Sequence, residues 1–324
     1  LSTGPVTTGP GGAGDFSHAP VLHAEVIAAL AIRPDGFYVD GTYGRGGHSR
    51  SILDRLGENG RLIVMDKDPE AIRSAQEAFA GDRRVTIIHD DFANMSEQLV
   101  ALQLAEKIDG VLLDLGVSSP QLDDASRGFS FQKNGPLDMR MNPEQGESAA
   151  QWLSHAEEKE IARVLWQYGE ERFARRIAKK IVETRELQSI DDTASLSALI
   201  SSCIPKREQK KHPATRSFQA IRIHINQELE RIGSLLESIF EVLAVGGRLL
   251  VISFHSLEDR LVKRFFKQQT SKPKVPKGLP VRESELVSNI RLKIIGKAVK
   301  AGAAELALNP RARSAVLRIV ERTV

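Results

Sequence analysis

Residues 37–53 read FYVDGTYGRGGHSRSIL, an apolar run that ends in Asp40 and opens into four glycines within seven residues before a helical pattern resumes. Glycine alone tolerates positive φ without strain and carries no Cβ, so a turn this rich in it lets the backbone pass close to something else. Strand, glycine turn and helix in that order set a ligand against a helix N-terminus. The stretch predicts the first βα unit of a sheet that binds a ligand at its carboxyl edge.

The same rhythm runs on either side. RLIVMD (61–66), RVTIIHDDF (84–92) and GVLLDLG (110–116) are further apolar runs, each ending in acidic residues or glycine. Amphipathic stretches separate them, as in PEAIRSAQEAF, where Asp68 is placed to cap a helix with Pro69 at its first position. Near-continuous apolar strands alternating with helices imply a parallel sheet covered on both faces. Ligands of such sheets sit beyond the carboxyl ends of the strands, where Asp40, Asp66, Asp91 and Asp114 all fall.

After Gly116 the rhythm breaks, and no strand pattern returns until GGRLLVISF (246–254). A crossover needs only a dozen residues or so beyond its helix. The expectation is therefore an α/β sheet domain built from 18–121 and 215–324, with a helical domain inserted over 122–214. In the insertion, EEKEIARVLWQYGEERFARRIAKKIVETR carries Phe173, Ile177 and Ile181 at four-residue spacing. RSFQAIRIHINQELERIGSLLESIFEVL is expected to restore a sheet-covering helix, and RLKIIGKAV (291–299) and SAVLRIV (314–320) to close the sheet.

Composition narrows the class. The chain has 324 residues, 41% hydrophobic and 27% charged, with a formal net charge of +3, ordinary for a globular enzyme. Its one cysteine, Cys203, excludes an intrachain disulfide and a thiolate zinc site. No apolar run nears the ~20 residues that span a bilayer. Residues 1–17, rich in Gly, Pro, Ser and Thr, read as a flexible tail, and the plain expectation is a cytoplasmic protein without a membrane partner.

Three ligand classes compete for the glycine turn. The P-loop spacing starts well with Gly41 and Gly46, but Gly47 and His48 stand where Lys and Ser/Thr are needed. The dinucleotide pattern fits Gly44 and Gly46 and fails at Ser49. S-adenosylmethionine (SAM) has ribose and adenine but no phosphates, so a glycine turn with a ribose-binding carboxylate suffices. Asp66 is placed for the ribose, Phe92 for the adenine, and Asp114 for the sulfonium and amino-acid end.

The blocks HAPVLHAEVI, YVDGTYGRGGHSRSIL, DGVLLDLGVSSPQLDDASRGFSF, GPLDMRMNP, YGEERFARRIAKKI, HPATRSFQAIRI, GGRLLVISFHSLEDRLVKRFF and NPRARSAVLRI together resemble the bacterial ribosomal RNA small-subunit methyltransferase H family. The resemblance runs from about His18 to Arg322. It implies a SAM-dependent methyltransferase fold, Rossmann-like, with a helical insertion after the fourth strand. It implies methylation of N4 of a cytidine in 16S rRNA, position 1402 in bacterial numbering, with the small ribosomal subunit as partner. The family's cofactor contacts fall on Gly46, Gly47, His48, Asp66, Phe92, Asp114 and Gln121.

The residues suit direct transfer to an amine. Methylation at C5 of cytosine needs a covalent adduct through an activated thiolate, and Cys203, in SSCIPK, has no adjacent helper and reads as a small buried residue. N4 methylation needs only acceptors that hold the amine protons and align the nitrogen. GVSSPQ stands where amino-methyltransferases carry an Asn/Asp/Ser-Pro-Pro-aromatic loop: Ser118 and Pro120 fit, while Ser119 and Gln121 replace a proline and the aromatic. Asp114 and Ser118 are the acceptor candidates, although Ser118 and Ser119 also suit a helix N-cap. With the loop aromatic lost, Phe129 and Phe131 are candidates to stack on the base, or core residues. His255, in SFHSLEDR, is a candidate to line the substrate cleft, beside a Ser256–Asp259 helix-capping pattern. No His/carboxylate spacing argues for a metal.

Two basic clusters suit RNA. Arg172, Arg176 and Lys180 recur at helical spacing, diluted by Glu170, Glu171 and Glu183. Residues 204–222 hold Lys206, Arg207, Lys210, Lys211, Arg216 and Arg222 against Glu208, the better candidate for phosphates. Two rivals remain: a NAD-dependent Rossmann oxidoreductase, and a catalytically silent SAM- and RNA-binding ribosome-assembly factor. The sequence leaves the oligomeric state, homodimer included, open.

Overall fold

A computed structural model describes residues 20–205, 212–271 and 290–324; the predicted tail at 1–17 lies outside them. The strands are β1 (Phe37–Asp40), β2 (Arg61–Asp66), β3 (Val85–His89), β4 (Ile108–Asp114), β5 (Leu243–Ser253), β6 (Leu292–Ile294), β7 (Val299–Lys300) and β8 (Val316–Arg322). They form one sheet in the order β3-β2-β1-β4-β5-β8-β6, with β7 also on β8. The first five run parallel, and β8 lies antiparallel to β5 and β6. Side chains of Leu62 to Met65 and of Val111 to Leu113 are all buried, as a sheet covered on both faces requires.

The parallel pairs cannot be joined by hairpins, so helices cross over between them. On one face pack α1 (His23–Leu30), α2 (Gly47–Leu53) and α3 (Pro69–Ala78), around Tyr38, Leu62, Val64, Leu112, Leu250 and Ile252. On the other pack α4 (Met95–Ala101), α11 (Glu228–Ser238) and α12 (Ser256–Thr270), around Val39, Ile63, Met65, Val111 and Val251. The predicted closing strand 291–299 is broken. Gly296, at φ 68°, turns the chain between β6 and β7, so two short pieces pair separately with β8.

Between β4 and β5 lie α5 (Ser119–Asp123), α6 (Ala149–His155), α7 (Glu158–Gly169), α8 (Ala174–Arg185), α9 (Thr193–Cys203) and α10 (Thr215–Asn226); α13 (Ala303–Leu308) follows β7. Helices α6 to α10 share a separate apolar core built on Trp152, Ile161, Leu165, Ile177, Ile181, Leu196 and Phe218. Cys203 is buried in it, and burial raises its thiol pKa.

The single sheet-covering helix expected from residue 216 onward is two helices. Gln227, at φ 51°, ends α10 and starts α11. Helix α10 buries Phe218, Ala220, Ile221 and Ile223 in the helical core rather than against the sheet. Its approach to α7 is so close that a Cβ on Gly169 would sit 2.7 Å from the Arg216 carbonyl oxygen. On this packing we propose that the helical unit runs to Asn226 instead of 214.

Asn226 stitches that last turn to the chain entering the helical unit. Its Oδ1 accepts from the Met141 N–H and its Nδ2 donates to the Met139 carbonyl, each at 2.7 Å in a buried setting. Asn226→Ala leaves both backbone groups unpaired, at a cost of about 1–3 kcal/mol each at most. A lowered unfolding midpoint in denaturant is expected; a midpoint equal to the wild type would show that the stitch contributes nothing.

Candidate active site

The glycine turn is held by one carboxylate. Asp66, at the end of β2, accepts from the Gly44 N–H through Oδ2 and from the Asp68 N–H through Oδ1, both at 2.9 Å. Gly44 and Gly46 have φ of 55° and 72°, the left-handed region that disfavours a Cβ. At Gly46 the limit is also steric, since a Cβ would lie 2.3 Å from the Tyr43 ring. At Gly44 the space is open, with nothing nearer than Ser118 Cβ at 3.8 Å. Gly47 packs against Pro20.

Asp114 ends β4 on the same edge. Solvent reaches 25% of its side chain, yet Oδ1 is sealed and has no hydrogen-bond partner. Burial, then the charges of Asp40 and Glu258, push its pKa up to about 8. His48, the second residue of α2, is buried with neither ring nitrogen bonded. Burial and the neighbouring His23 lower its pKa to about 3, so it is neutral. Its Nε2 stands 3.9 Å from Asp114 Oδ2, too far for a hydrogen bond and no ion pair while the ring is neutral. Beneath them, Asp40 accepts from the Ser49 hydroxyl at 2.6 Å, and burial outweighs this bond to raise its pKa to about 6. Burial likewise raises Asp66 to about 6 against the two N–H bonds that favour its charged form.

The loop after β4 has a structural occupation. Ser118 caps α5, with its Oγ facing the Gln121 N–H at 3.5 Å, and Gln121 Oε1 accepts from the Ser118 N–H at 2.9 Å. The cap alternative for Ser118 therefore holds, and Ser119 is the first residue of the helix. Gln121, expected at the cofactor, turns its Nε2 to Asp68 Oδ2 at 2.8 Å. Asp68 caps α3 as predicted and also binds Arg127 at 2.9 Å. Arg127 in turn donates to the Met141 carbonyl at 2.8 Å. Asp68, Ser118 and Pro120 line a small cleft with Gly44, Arg45 and Glu70. Sequence reasoning missed Arg127, because nothing local marks a partner 59 positions away.

Phe92 follows the Asp91 cap and packs, half-buried, on the α4 side of the sheet. Phe129 is buried in the helical core. Phe131 stacks on His212, ring centroids 4.2 Å apart.

His255, a candidate to line the substrate cleft, also has a place in the fold. It, not Ser256, caps α12: its Nδ1 accepts from the Glu258 N–H at 3.4 Å. Asp259 instead binds Arg318 at 2.7 Å. The Ser256–Asp259 pattern lies one residue out of register with this cap, since a His N-cap has no common sequence signature. Its Nε2 lies 3.2 Å from Glu258 and 4.0 Å from Glu228, and Arg222 grips Glu228 with two bonds of 2.7 and 2.9 Å. Burial works against the imidazolium, but the two carboxylates outweigh it and raise His255 to about 9. Burial also works against the charged Glu228, and Arg222 with His255 pulls it down to about 2. Glu228, His255 and Glu258 are the group among the described residues with metal-ligating atoms close together. In this cluster His255 Nε2 and Glu258 Oε1 are sealed with no hydrogen-bond partner, and two carboxyl groups face the Arg222 guanidinium and the His255 ring.

Of the basic candidates, Lys206, Arg207, Lys210 and Lys211 lie outside the described residues. Arg216 is exposed and donates to the Glu170 carbonyl at 3.2 Å. Arg176 and Lys180 are exposed on α8, Lys180 within 4.0 Å of Glu183, while Ile177 and Ile181 of the same helix are buried.

The raised acids make stability fall with pH. A folded pKa above the unfolded ~3.9 gives stability that is full below that value and lost as pH rises through the folded one. Asp114 at about 8, with His255 at about 9, should therefore lower the melting temperature between about pH 7 and 9. Asp40 and Asp66, at about 6, add to the decline at lower pH, where His48, depressed to about 3, offsets only part of it below its unfolded ~6.5. Asp114→Asn should flatten the decline; an unchanged slope by calorimetry would contradict the burial of Asp114.

The pattern of the MraW methylase family matches residues 15–323. Ribosomal RNA small subunit methyltransferase H of Alteromonas mediterranea is 56% identical over 279 residues, covering 86% of this chain and 89% of that one. The proteins of that name from Idiomarina loihiensis and Thioalkalivibrio sulfidiphilus are each 56% identical over 279 residues, covering 86% of this chain and 88% of theirs. With a family match over nearly the whole length and relatives this similar, the chain belongs to the MraW methylase family.

Proposed function

We propose that this chain transfers a methyl group from SAM to N4 of a cytidine in small-subunit ribosomal RNA, position 1402 in bacterial numbering. The observation that carries the reading is Asp114: a carboxyl group at the end of β4, a quarter of it open to solvent, with no basic partner at hydrogen-bond distance among the described residues. The relatives' shared name supports ribosomal RNA of the small subunit as substrate. The cytoplasm, where ribosomes assemble, is then the place of action.

The residues fit the cofactor. Open space at Gly44, the carboxylate of Asp66 and the orphaned nitrogens of His48 offer a cradle with unmet polar partners and no phosphate-binding lysine. Gly46, Gly47, His48, Asp66, Phe92 and Asp114 would hold it, with Gln121 behind Asp68. When bound, SAM supplies an activated methyl group on a cationic sulfur.

Asp114 accepts a hydrogen bond from the target amine, aligns its nitrogen and takes up the proton that methylation releases. The neutral His48 adds an acceptor or donor beside it without adding charge. Ser118 spends its hydroxyl on the helix cap and keeps the Gly116–Pro120 loop in place. The helical unit, with the basic segment at 206–211 and Arg216, docks the RNA. Cys203 takes no part, since it is buried in the helical core.

Asp66→Ala should weaken SAM binding by roughly 1.5–3 kcal/mol, the range for a hydrogen bond to a charged group. Unchanged affinity in calorimetry would remove Asp66 from the site.

Wild-type kcat/KM should fall as pH drops below about 8, because an acceptor must be ionised. Asp114→Asn should erase that limb and cost about a hundredfold or more in rate. Labelled SAM and nucleoside mass analysis read the product: N4-methylcytidine is expected, also from Cys203→Ser. Formation of 5-methylcytidine, or of a covalent enzyme–RNA adduct, sinks direct transfer. No transfer by the wild type would favour the silent assembly factor, and NADH binding the oxidoreductase.

Replacing Lys206, Arg207, Lys210 and Lys211 together with Ala should raise the KM for small subunits and flatten its salt dependence, leaving SAM affinity unchanged. A wild-type salt slope would mean that the RNA docks elsewhere.

A further inference from the structure

Methyl transfer to an exocyclic amine requires the base plane to be held, and GVSSPQ lacks the aromatic residue that would hold it. The candidates from sequence are spent: Phe129 is buried in the helical core, and Phe131 already stacks on His212. Tyr43 is buried beneath Gly46, and Phe92 stands at the β3 end, on the cofactor side of Asp114.

Among the described residues, Phe254 is a further aromatic ring at the transfer edge. Asp114 is the register partner of Ile252 in the parallel β4–β5 pair. Just past the strand ends, two residues beyond this pair, come Gly116 and Phe254. Phe254 packs on the apolar cluster that holds Leu112, Leu250 and Ile252, on the face to which Asp114, two residues after Leu112, belongs. A Cβ built on Gly116 would lie 3.7 Å from Phe254 Cδ2, so ring and loop are neighbours, and the glycine at φ 96° leaves the space between them open. Phe254 is half-buried, one side packed on the apolar core shared with Ile252 and Leu317. No aromatic stacking partner is found for it among the described residues.

Sheet order assigns the two sides. Asp66 and Phe92 follow β2 and β3, whereas Phe254 follows β5, across β4 from them. A ligand reaching from β3 to Asp114 leaves the β5 side for the second substrate. The ring's backbone is anchored as well: the Phe254 N–H donates to Glu258 Oε2 at 2.8 Å. Glu258 belongs to the buried cluster with His255, Glu228 and Arg222, and Arg222 is part of α10 in the helical unit.

We propose that Phe254 is the aromatic face on which the target base stacks, anchored through Glu258 by the cluster that joins the helical unit to the sheet. The assignment rests on the methyl-transfer reading above. Stacking of a base on an aromatic ring is sequence-tolerant and depends on the π face, so an aliphatic side chain of similar bulk cannot replace it.

Full-length Phe254→Leu and Phe254→Tyr are compared with wild type on small ribosomal subunits, by single-turnover transfer from labelled SAM. Phe254→Leu should lose about ten- to a hundredfold in kcat, with KM for subunits, SAM affinity and melting temperature unchanged. Phe254→Tyr should stay within about threefold of wild type, because the ring face is kept. A Leu variant as fast as wild type overturns the assignment, as does a loss that tracks SAM affinity or melting temperature. A wild-type chain that transfers no methyl to RNA sinks the parent reading, an outcome separate from an active wild type with an equally active Leu variant.

Discussion

Burial of several carboxylates along one sheet edge is the constraint around which the rest of this molecule is arranged. The parallel half of the sheet delivers Asp40, Asp66 and Asp114 to the same side, within reach of one another's charge. Each ionised form is disfavoured by burial, and none has a basic partner at hydrogen-bond distance among the described residues. What offsets the cost is neutral: a serine hydroxyl on Asp40 and backbone N–H groups on Asp66. A sheet edge left electrically unmet in this way suits a cationic ligand, and the glycine turn that Asp66 fastens is shaped by the same bonds.

The contact between the helical unit and the sheet follows the opposite rule. There Arg222, Glu228, His255 and Glu258 bring two positive and two negative groups together in a buried space. Breaking one member of such a set is costly, because it strands a buried charge. The cluster thus fixes how α10 and α11 meet the start of α12, and with it the loop that follows β5. Asp68 does comparable duty on the other side, tying α3 to Gln121 and Arg127. Each link joins segments distant in sequence: Asp68 lines the small cleft with Ser118 and Pro120, and the charge of Glu258 is felt at Asp114.

Membership of a methylase family states the class of chemistry; the site residues say how this chain is equipped for it. Of the residues expected at the cofactor, Gly46, His48, Asp66 and Asp114 gather around the ends of β1, β2 and β4. Phe92, just past β3, comes close to Gly41 at the end of β1, and Gln121 is turned toward Asp68. Ser118 and His255 both cap helices, so two polar side chains that looked free for chemistry have bonds that the fold requires.

Much of this was legible because it is local. Apolar runs ending in Asp announced β1 to β4, Asp68 followed by Pro69 announced the start of α3, and the long gap after Gly116 announced the helical insertion. Burial of Cys203 followed from an apolar helix with no helper beside it. Tertiary structure alone decided which core α10 joins, since its apolar face suits sheet or helices equally and only the turn at Gln227 directs it. It also decided that His255 is charged and His48 neutral. His255 is held charged against its burial by Glu228 and Glu258, and His48 is kept neutral by burial and His23; apart from Glu258, these surroundings come from folding and no local spacing encodes them.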